Sequence, residues 1–235
     1  MRVDIGANII EYQINYSRRK TMSITVKPDG TIRVAAPKGT AAKTVQDWVT
    51  SKSKWIAAKL AEVELANRQV VERSYQSGEE FSYLGRPMRL ELFDPPQQAK
   101  TKVRFREGTI QITCPDCSPA AVKAALETWY RWAAGRYIRA RVGHYQSQVG
   151  GKLGRITIRE QKTRWGSCSA QGNLNFNWRI MMAPPEIIDY LVVHELCHLV
   201  HLNHSPSFWN LVASIIPDYK ARKDWLRKNG HQLRS

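Results

Sequence analysis

Acidic side chains are scarce in this sequence: twenty Asp and Glu stand against thirty-six Lys and Arg, a formal charge of +16 over 235 residues. So lopsided a balance favours contact with nucleic acid, nucleotides or another acidic surface, with a well-solvated exterior as the alternative. Long apolar runs are missing as well, and none approaches the length of a membrane span. The first sixteen residues carry Asp4 and Glu11 and lack a continuous apolar stretch, which argues against a secretory signal and for a cytoplasmic protein. Cysteine is sparse. Cys114, Cys117, Cys168 and Cys197 are too few and too scattered for a disulfide framework, in keeping with a reducing compartment. There is no low-complexity tract, and 43% hydrophobic residues at this length suffice for a core in one or two domains.

The apolar residues that are present change period along the chain. Tyr12, Ile14 and Tyr16, then Met22, Ile24 and Val26, then Ile32 and Val34 alternate with polar neighbours, the mark of half-buried strands. Pro28-Asp29-Gly30 is a turn signal, so residues 21–36 read as a hairpin. The basic cluster Arg18-Arg19-Lys20 falls in a loop between strands. After Pro37 the spacing of Val45, Trp48, Val49, Ile56, Leu60 and Val63 fits one helix over about 41–68. Residues 78–114 return to strand chemistry, interrupted at Gly85-Arg86-Pro87 and Asp94-Pro95-Pro96. Val103, Phe105, Ile110 and Ile112 flank a turn at Glu107-Gly108. Ser118-Pro119 then opens a helix towards about residue 148, with Ser as N-cap, Pro at the first helical position and Gly135 a weak spot. The expected organisation is a β-rich domain over 1–115 and a second domain over 116–235.

The chemistry is concentrated in Pro184-Pro185-Glu186-Ile187-Ile188-Asp189-Tyr190-Leu191-Val192-Val193-His194-Glu195-Leu196-Cys197-His198-Leu199. Prolines and an acid mark a helix start, and Ile188, Leu191, Val192 and Leu199 supply a stripe to bury. In such a helix His194 and His198 project from one face, a turn apart, at a spacing that suits one zinc ion. Glu195, displaced around the helix, reaches a metal-bound water without ligating the metal; this is the H-E-x-x-H arrangement. Hydrogen-bonded core histidines are the bland alternative.

A catalytic zinc needs a third protein ligand, and His201, His204 and the distant His231 are the candidates. Asn203 reads as a left-handed helix terminator, and Ser205-Pro206 as the start of the next helix. A chain turning back at Asn203 brings His204 to the metal, so His204 is preferred to His201. The basic residues from Arg131 to Arg164 precede this motif, opposed there only by Glu160.

His194-Glu195-Leu196-Cys197-His198, Asn203-His204-Ser205-Pro206 and Phe208-Trp209 together resemble the YgjP-like metallopeptidases, a group similar to SprT-type zinc metalloproteases. Thr163-Arg164-Trp165-Gly166-Ser167-Cys168 resembles that family's W-G-S-C block, and Ser17-Arg18-Arg19-Lys20, Asp29-Gly30 and Trp55-Ile56 its upstream pattern. The resemblance spans nearly the whole chain. It implies Zn2+ held by His194, His198 and His204, with Glu195 as catalytic base. The histidine spacing also equals that of metzincins, but His201 stands where those have glycine, and no Met-turn is evident. The expected fold is α+β: a β-rich N-terminal portion with one long helix, then a zincin-like catalytic domain.

The mechanism expected of such a site is attack by a zinc-activated water, its proton taken by Glu195, with Tyr219 or Arg164 as candidate donors to the oxyanion. Residues 172–180 alternate as a strand; if its edge is free beside the zinc, an extended peptide can add to it. An internal strand is the equal alternative. Cys197 is expected to pack and Cys168 to sit in a tight turn, while Cys114-Pro115-Asp116-Cys117 reads as a loop with two free thiols. Peptidase activity on protein or peptide is the leading function. Zinc-dependent hydrolysis of nucleotides and a nucleic-acid-associated protease or binding module are the alternatives.

Overall fold

A computed structural model of the chain describes residues 2–5, 8–27, 29–68, 73–94, 100–161 and 164–234. It divides into two compact units, residues 1–71 and 72–235. The fold is α+β, with strands and helices in both.

In the first unit β1 (Arg2–Ile5), β2 (Asn8–Ser17), β3 (Ser23–Val26) and β4 (Ile32–Pro37) form a sheet in the order β1-β2-β4-β3. The expected hairpin is β3 against β4, pairing Ile24 with Val34. Its turn is held by the Thr31 N–H donating to Asp29 Oδ1 at 2.9 Å; Pro28 lies outside the described residues. Alternation buries Tyr12, Ile32, Val34 and Ala36 against Val45, Val49 and Ile56. The single helix expected over 41–68 is two, α1 (Ala42–Ser51) and α2 (Ser53–Arg68). Thr50 Oγ1 and Ser51 Oγ donate back to the carbonyls of Gln46 and Trp48, the local competition by which such residues loosen a helix end.

In the second unit β5 (Glu80–Tyr83), β6 (Arg86–Phe93), β7 (Lys102–Arg106) and β8 (Thr109–Thr113) form a sheet in the order β5-β6-β8-β7. The break expected at Gly85-Arg86-Pro87 is confined to Leu84-Gly85, both left-handed at φ 50° and 73°. Arg86 and Pro87 already belong to β6, where Pro87 pairs with Ser82 before β8 joins the sheet. A Cβ on Gly85 would meet Pro184 Cα at 2.9 Å, so close approach as well as φ demands glycine there. The Glu107-Gly108 turn forms as expected.

Cys114 and Cys117, expected as free thiols, are joined in a disulfide with Cα atoms 5.4 Å apart, because the Pro-Asp turn folds one back over the other. Asp116 then accepts from the Ser118 N–H, and Ser118 caps α3 (Pro119–Val149), which runs unbroken through Gly135.

The boundary expected at 115/116 falls inside this unit. Leu90, Ile110 and Ile112 of the sheet share one core with Val122, Leu126, Tyr130 and Ile138 of α3 and with Phe176, Ile188 and Val192 further on. Strands β9 (Ile156–Arg159), β10 (Gly166–Cys168) and β11 (Leu174–Asn177) make a small sheet in the order β10-β11-β9. A 3-10 turn over Trp178–Met182 leads into α4 (Pro185–Cys197), α5 (Pro206–Ile215) and α6 (Tyr219–Asn229).

Candidate metal centre

Helix α4 starts where the sequence places it, with Pro184 as N-cap, Pro185 at the first position and Glu186 in the first turn. It is buried on nearly every side rather than along one stripe: Ile187, Ile188, Tyr190, Leu191, Val192, Val193, Leu196 and Cys197 are all core residues, and Leu199 only half-buried. One ion pair fixes it to α3. Arg141 donates from Nε and Nη2 to the two carboxylate oxygens of Asp189 at 2.6 and 2.8 Å, and the Tyr145 hydroxyl donates to the same carboxylate at 3.1 Å.

The helix ends at Cys197 instead of reaching Asn203, and Asn203 is not left-handed. The N–H groups of Val200 and His201 both turn back to the Cys197 carbonyl, tightening the last turn. Asn203 contributes its side chain, accepting from the Ser205 N–H at 3.3 Å, and Ser205 in turn caps α5 by accepting from Phe208 N. This reversal, together with Ser205-Pro206, carries His204 back over α4.

His194, His198 and His204 then converge, with one ring nitrogen of each within 4.8 Å of the others. His194 and His204 face each other through Nε2 at 3.1 Å. Two nitrogens each ~2.0–2.1 Å from a tetrahedral zinc would be separated by roughly 3.3 Å. His198 donates from Nδ1 to the His201 carbonyl at 3.0 Å, which leaves Nε2 directed to the cluster. His201 therefore orients His198 through its backbone carbonyl, and neither it nor His231 joins the group. Phe208 lies under all three rings, with centroids 4.6 to 5.0 Å away, and Trp209 stacks on His204. Burial first, then the neighbouring His198 and His204, hold His194 down to about 3, so it presents a neutral imidazole; His204 is lowered by burial, then by His198 and Lys223. A metal ligand must be neutral in this way.

Glu195 is 4% exposed, and its Oε2 has no hydrogen-bond partner among the described residues. Burial pushes its carboxyl up to about 8, opposed by the Arg164 charge. The room it occupies is made by Gly166: a Cβ there would lie 2.5 Å from Glu195 Oε1. This explains the glycine of Trp165-Gly166-Ser167-Cys168, whose purpose was not evident in the sequence. The segment is a strand, β10, and not the tight turn expected at Cys168; the turn falls at Ser169–Gly172, where Gly172 N–H donates to the Ser169 carbonyl. Asn177, fully buried, pins the approach to β10 by donating to the Gln161 carbonyl and linking its N–H to the Trp165 carbonyl. Cys197 packs as expected, its thiol pushed up to about 12 by burial.

Lys223 is a residue sequence reasoning missed. Its Nζ sits 4.2 Å from the Trp209 ring centroid, and its charge bears on His194 and His204. Tyr219 stacks on the same indole, its ring centroid 5.2 Å from that of Trp209. Of the two readings left open for residues 172–180, a free edge or an internal strand, the internal one holds: β11 is the middle strand of its sheet, and the edge beside Glu195 is β10.

A family model described as YgjP-like, metallopeptidase domain, matches residues 20–229. The chain belongs to the YgjP-like metallopeptidase family. Membership makes it a metal-dependent peptidase by family, and the three-histidine group is where the described residues offer a metal site. Comparison with curated proteins gives no match. Among solved structures, the metallopeptidase zymogen abylysin of Pyrococcus abyssi is similar at 25% identity over 37% of this chain and 89% of that one, with a TM-score of 0.35. No helix among the described residues is long and apolar enough to cross a membrane.

Proposed function

We propose that this YgjP-like protein is a zinc-dependent peptidase, with His194, His198 and His204 as ligands and Glu195 as general base. The observation that carries the reading is a buried carboxylate, its Oε2 without a partner among the described residues, next to His194 on α4, where His194, His198 and His204 converge. An all-imidazole donor set of this spacing suits zinc above harder cations. Zinc, when bound, supplies a Lewis acid that polarises a carbonyl and acidifies water.

The chain's own residues do the rest. Glu195 takes the proton of the attacking water at a carboxylate oxygen and hands it to the leaving amine; its raised affinity for protons suits both transfers. Phe208 and Trp209 keep the imidazoles in place and exclude water from behind them. Tyr219 and Arg164 are the donors nearest in kind to what an oxyanion requires, and Lys223 is a second cation at the site. The edge of β10, unpaired among the described residues, lies beside Glu195, so an extended peptide adding there by main-chain hydrogen bonds brings its scissile bond to the base.

The test is a hydrolysis screen with unfolded protein and nucleoside triphosphates side by side, run on the native chain and on Glu195→Gln. Cleavage of polypeptide that is abolished in the variant, with metal retained, supports the proposal. Turnover of triphosphates alone overturns the peptidase assignment.

A further inference from the structure

The face of the β5-β6-β8-β7 sheet opposite its apolar side is exposed, and its register sorts charge across it. Along β7, Lys102, Arg104 and Arg106 alternate with Val103 and Phe105 and stand on this open face, all three exposed. Across the strands Lys102 pairs with Thr113 and then Phe93; Arg104 with Gln111 and then Glu91; Arg106 with Thr109 and then Arg89. The face is therefore cationic along its free edge, hydroxyl and amide along β8, and aromatic at one corner, where Phe93 is 45% exposed. Arg89 adds a fourth cation on β6.

None of these four cations has an ion-pair partner among the described residues. The acids on the face stand away from β7: Glu91 is two strands in and accepts from Gln111 Nε2 at 3.0 Å, and Glu80, on the far strand, stands across from Arg89. Lys102, Arg104 and Arg106, held in line along one exposed strand, repel one another, an arrangement that a polyanion relieves.

We propose that this face binds single-stranded nucleic acid, with phosphates along β7, bases over Thr113, Gln111 and Thr109, and one base stacked on Phe93. The geometry selects that polyanion. Alternate residues of a strand are about 6.8 Å apart, twice the ~3.4 Å phosphate rise of one strand in a duplex, a separation that a single strand reaches by unstacking its bases. Unstacked bases then need flat aromatic and hydrogen-bonding surface, which β8 and Phe93 offer and which an acidic peptide has no use for. The site is independent of the metal centre and holds whether or not the peptidase assignment does.

The test is fluorescence anisotropy of a labelled twelve-residue oligodeoxythymidylate on the full chain between 50 and 200 mM salt. Contact with about four phosphates weakens binding about fiftyfold over that range. The triple variant Lys102→Gln, Arg104→Gln, Arg106→Gln is expected to bind at least tenfold more weakly at the lower salt. A control with the same charge change on the first unit, Lys43→Gln, Lys52→Gln, Lys54→Gln, is expected to change binding less than threefold. Phe93→Ala should cost about tenfold without altering the salt slope, because stacking carries no counterions. Folding of each variant is checked by thermal unfolding. Should the triple variant not fold, the three single variants are read instead, each lowering the slope by about 0.7. Equal losses in the triple variant and the control overturn the proposal, as does binding of a matched duplex or of polyaspartate of equal charge as tightly as the oligonucleotide.

Discussion

At the scale of single residues, Glu195 depends on a contact that no local pattern announces. Its neighbours in α4 set its backbone, but the space for its carboxylate comes from Gly166, where a methyl group would stand 2.5 Å from Oε1. Gly166→Ala is therefore expected to displace the base while leaving the three histidines intact, lowering kcat by tenfold or more with metal content unchanged. Steady-state kinetics beside metal analysis of the variant checks this. Glu195→Gln keeps the shape of the side chain and removes the base, so kcat should fall by about a hundredfold to ten-thousandfold, again with metal retained. The histidines were legible because helical spacing alone aligns His194 with His198, and Ser205-Pro206 marks where the chain turns back with His204. Gly166 and Lys223 were not, because their roles rest on distances to Glu195, His194 and Trp209 across elements far apart in sequence. Asn203 shows the same limit: its side chain, not its backbone, makes the turn.

Elements whose ends are set by local chemistry could be read directly. Ser118-Pro119, Pro184-Pro185 and Ser205-Pro206 begin α3, α4 and α5 where a cap and a proline say they should. Strand order could not be read, since the alternation of residues 172–180 is the same whether β11 is an edge or, as found, the middle strand between β10 and β9. Nor did periodicity separate α1 from α2, because the apolar spacing runs across the break at Lys52. Between elements, Glu160 joins the segment after β9 to α3 and to the 3-10 turn ahead of α4, accepting from Arg131 at 2.9 Å and Arg179 at 2.8 Å. The Arg179 hydrogen bond, the largest cause, holds its carboxyl below the usual carboxylate range. A group lowered on folding contributes stability above its unfolded pKa and loses it as pH falls through the folded one. Denaturant unfolding between about pH 5 and pH 3 should thus be steeper in pH for the native chain than for Glu160→Gln. Identical slopes would show that Glu160 contributes nothing.

The molecule as a whole is two compact units, and the metal centre, with every residue proposed to serve it, lies within residues 72–235. The boundary was misplaced in the sequence reading because β5 to β8 look like a continuation of the β-rich start, whereas their apolar side is completed by α3. Since His194, His198 and His204, from α4 and the turn before α5, meet only in the folded unit, a metal ion held by them would stabilise it. At free zinc a thousandfold above Kd the gain is about 4 kcal/mol. Chelation is accordingly expected to lower the Tm of that unit by roughly 10 °C, measured by calorimetry. The central claim is that His194, His198 and His204 hold one catalytic zinc, and its most direct test is the metal content of the purified chain beside that of His204→Ala. The account predicts about one zinc per native chain and a large loss in the variant with its fold retained. A fully folded native chain that takes up no zinc when the metal is offered, or a variant that binds it undiminished, would contradict it.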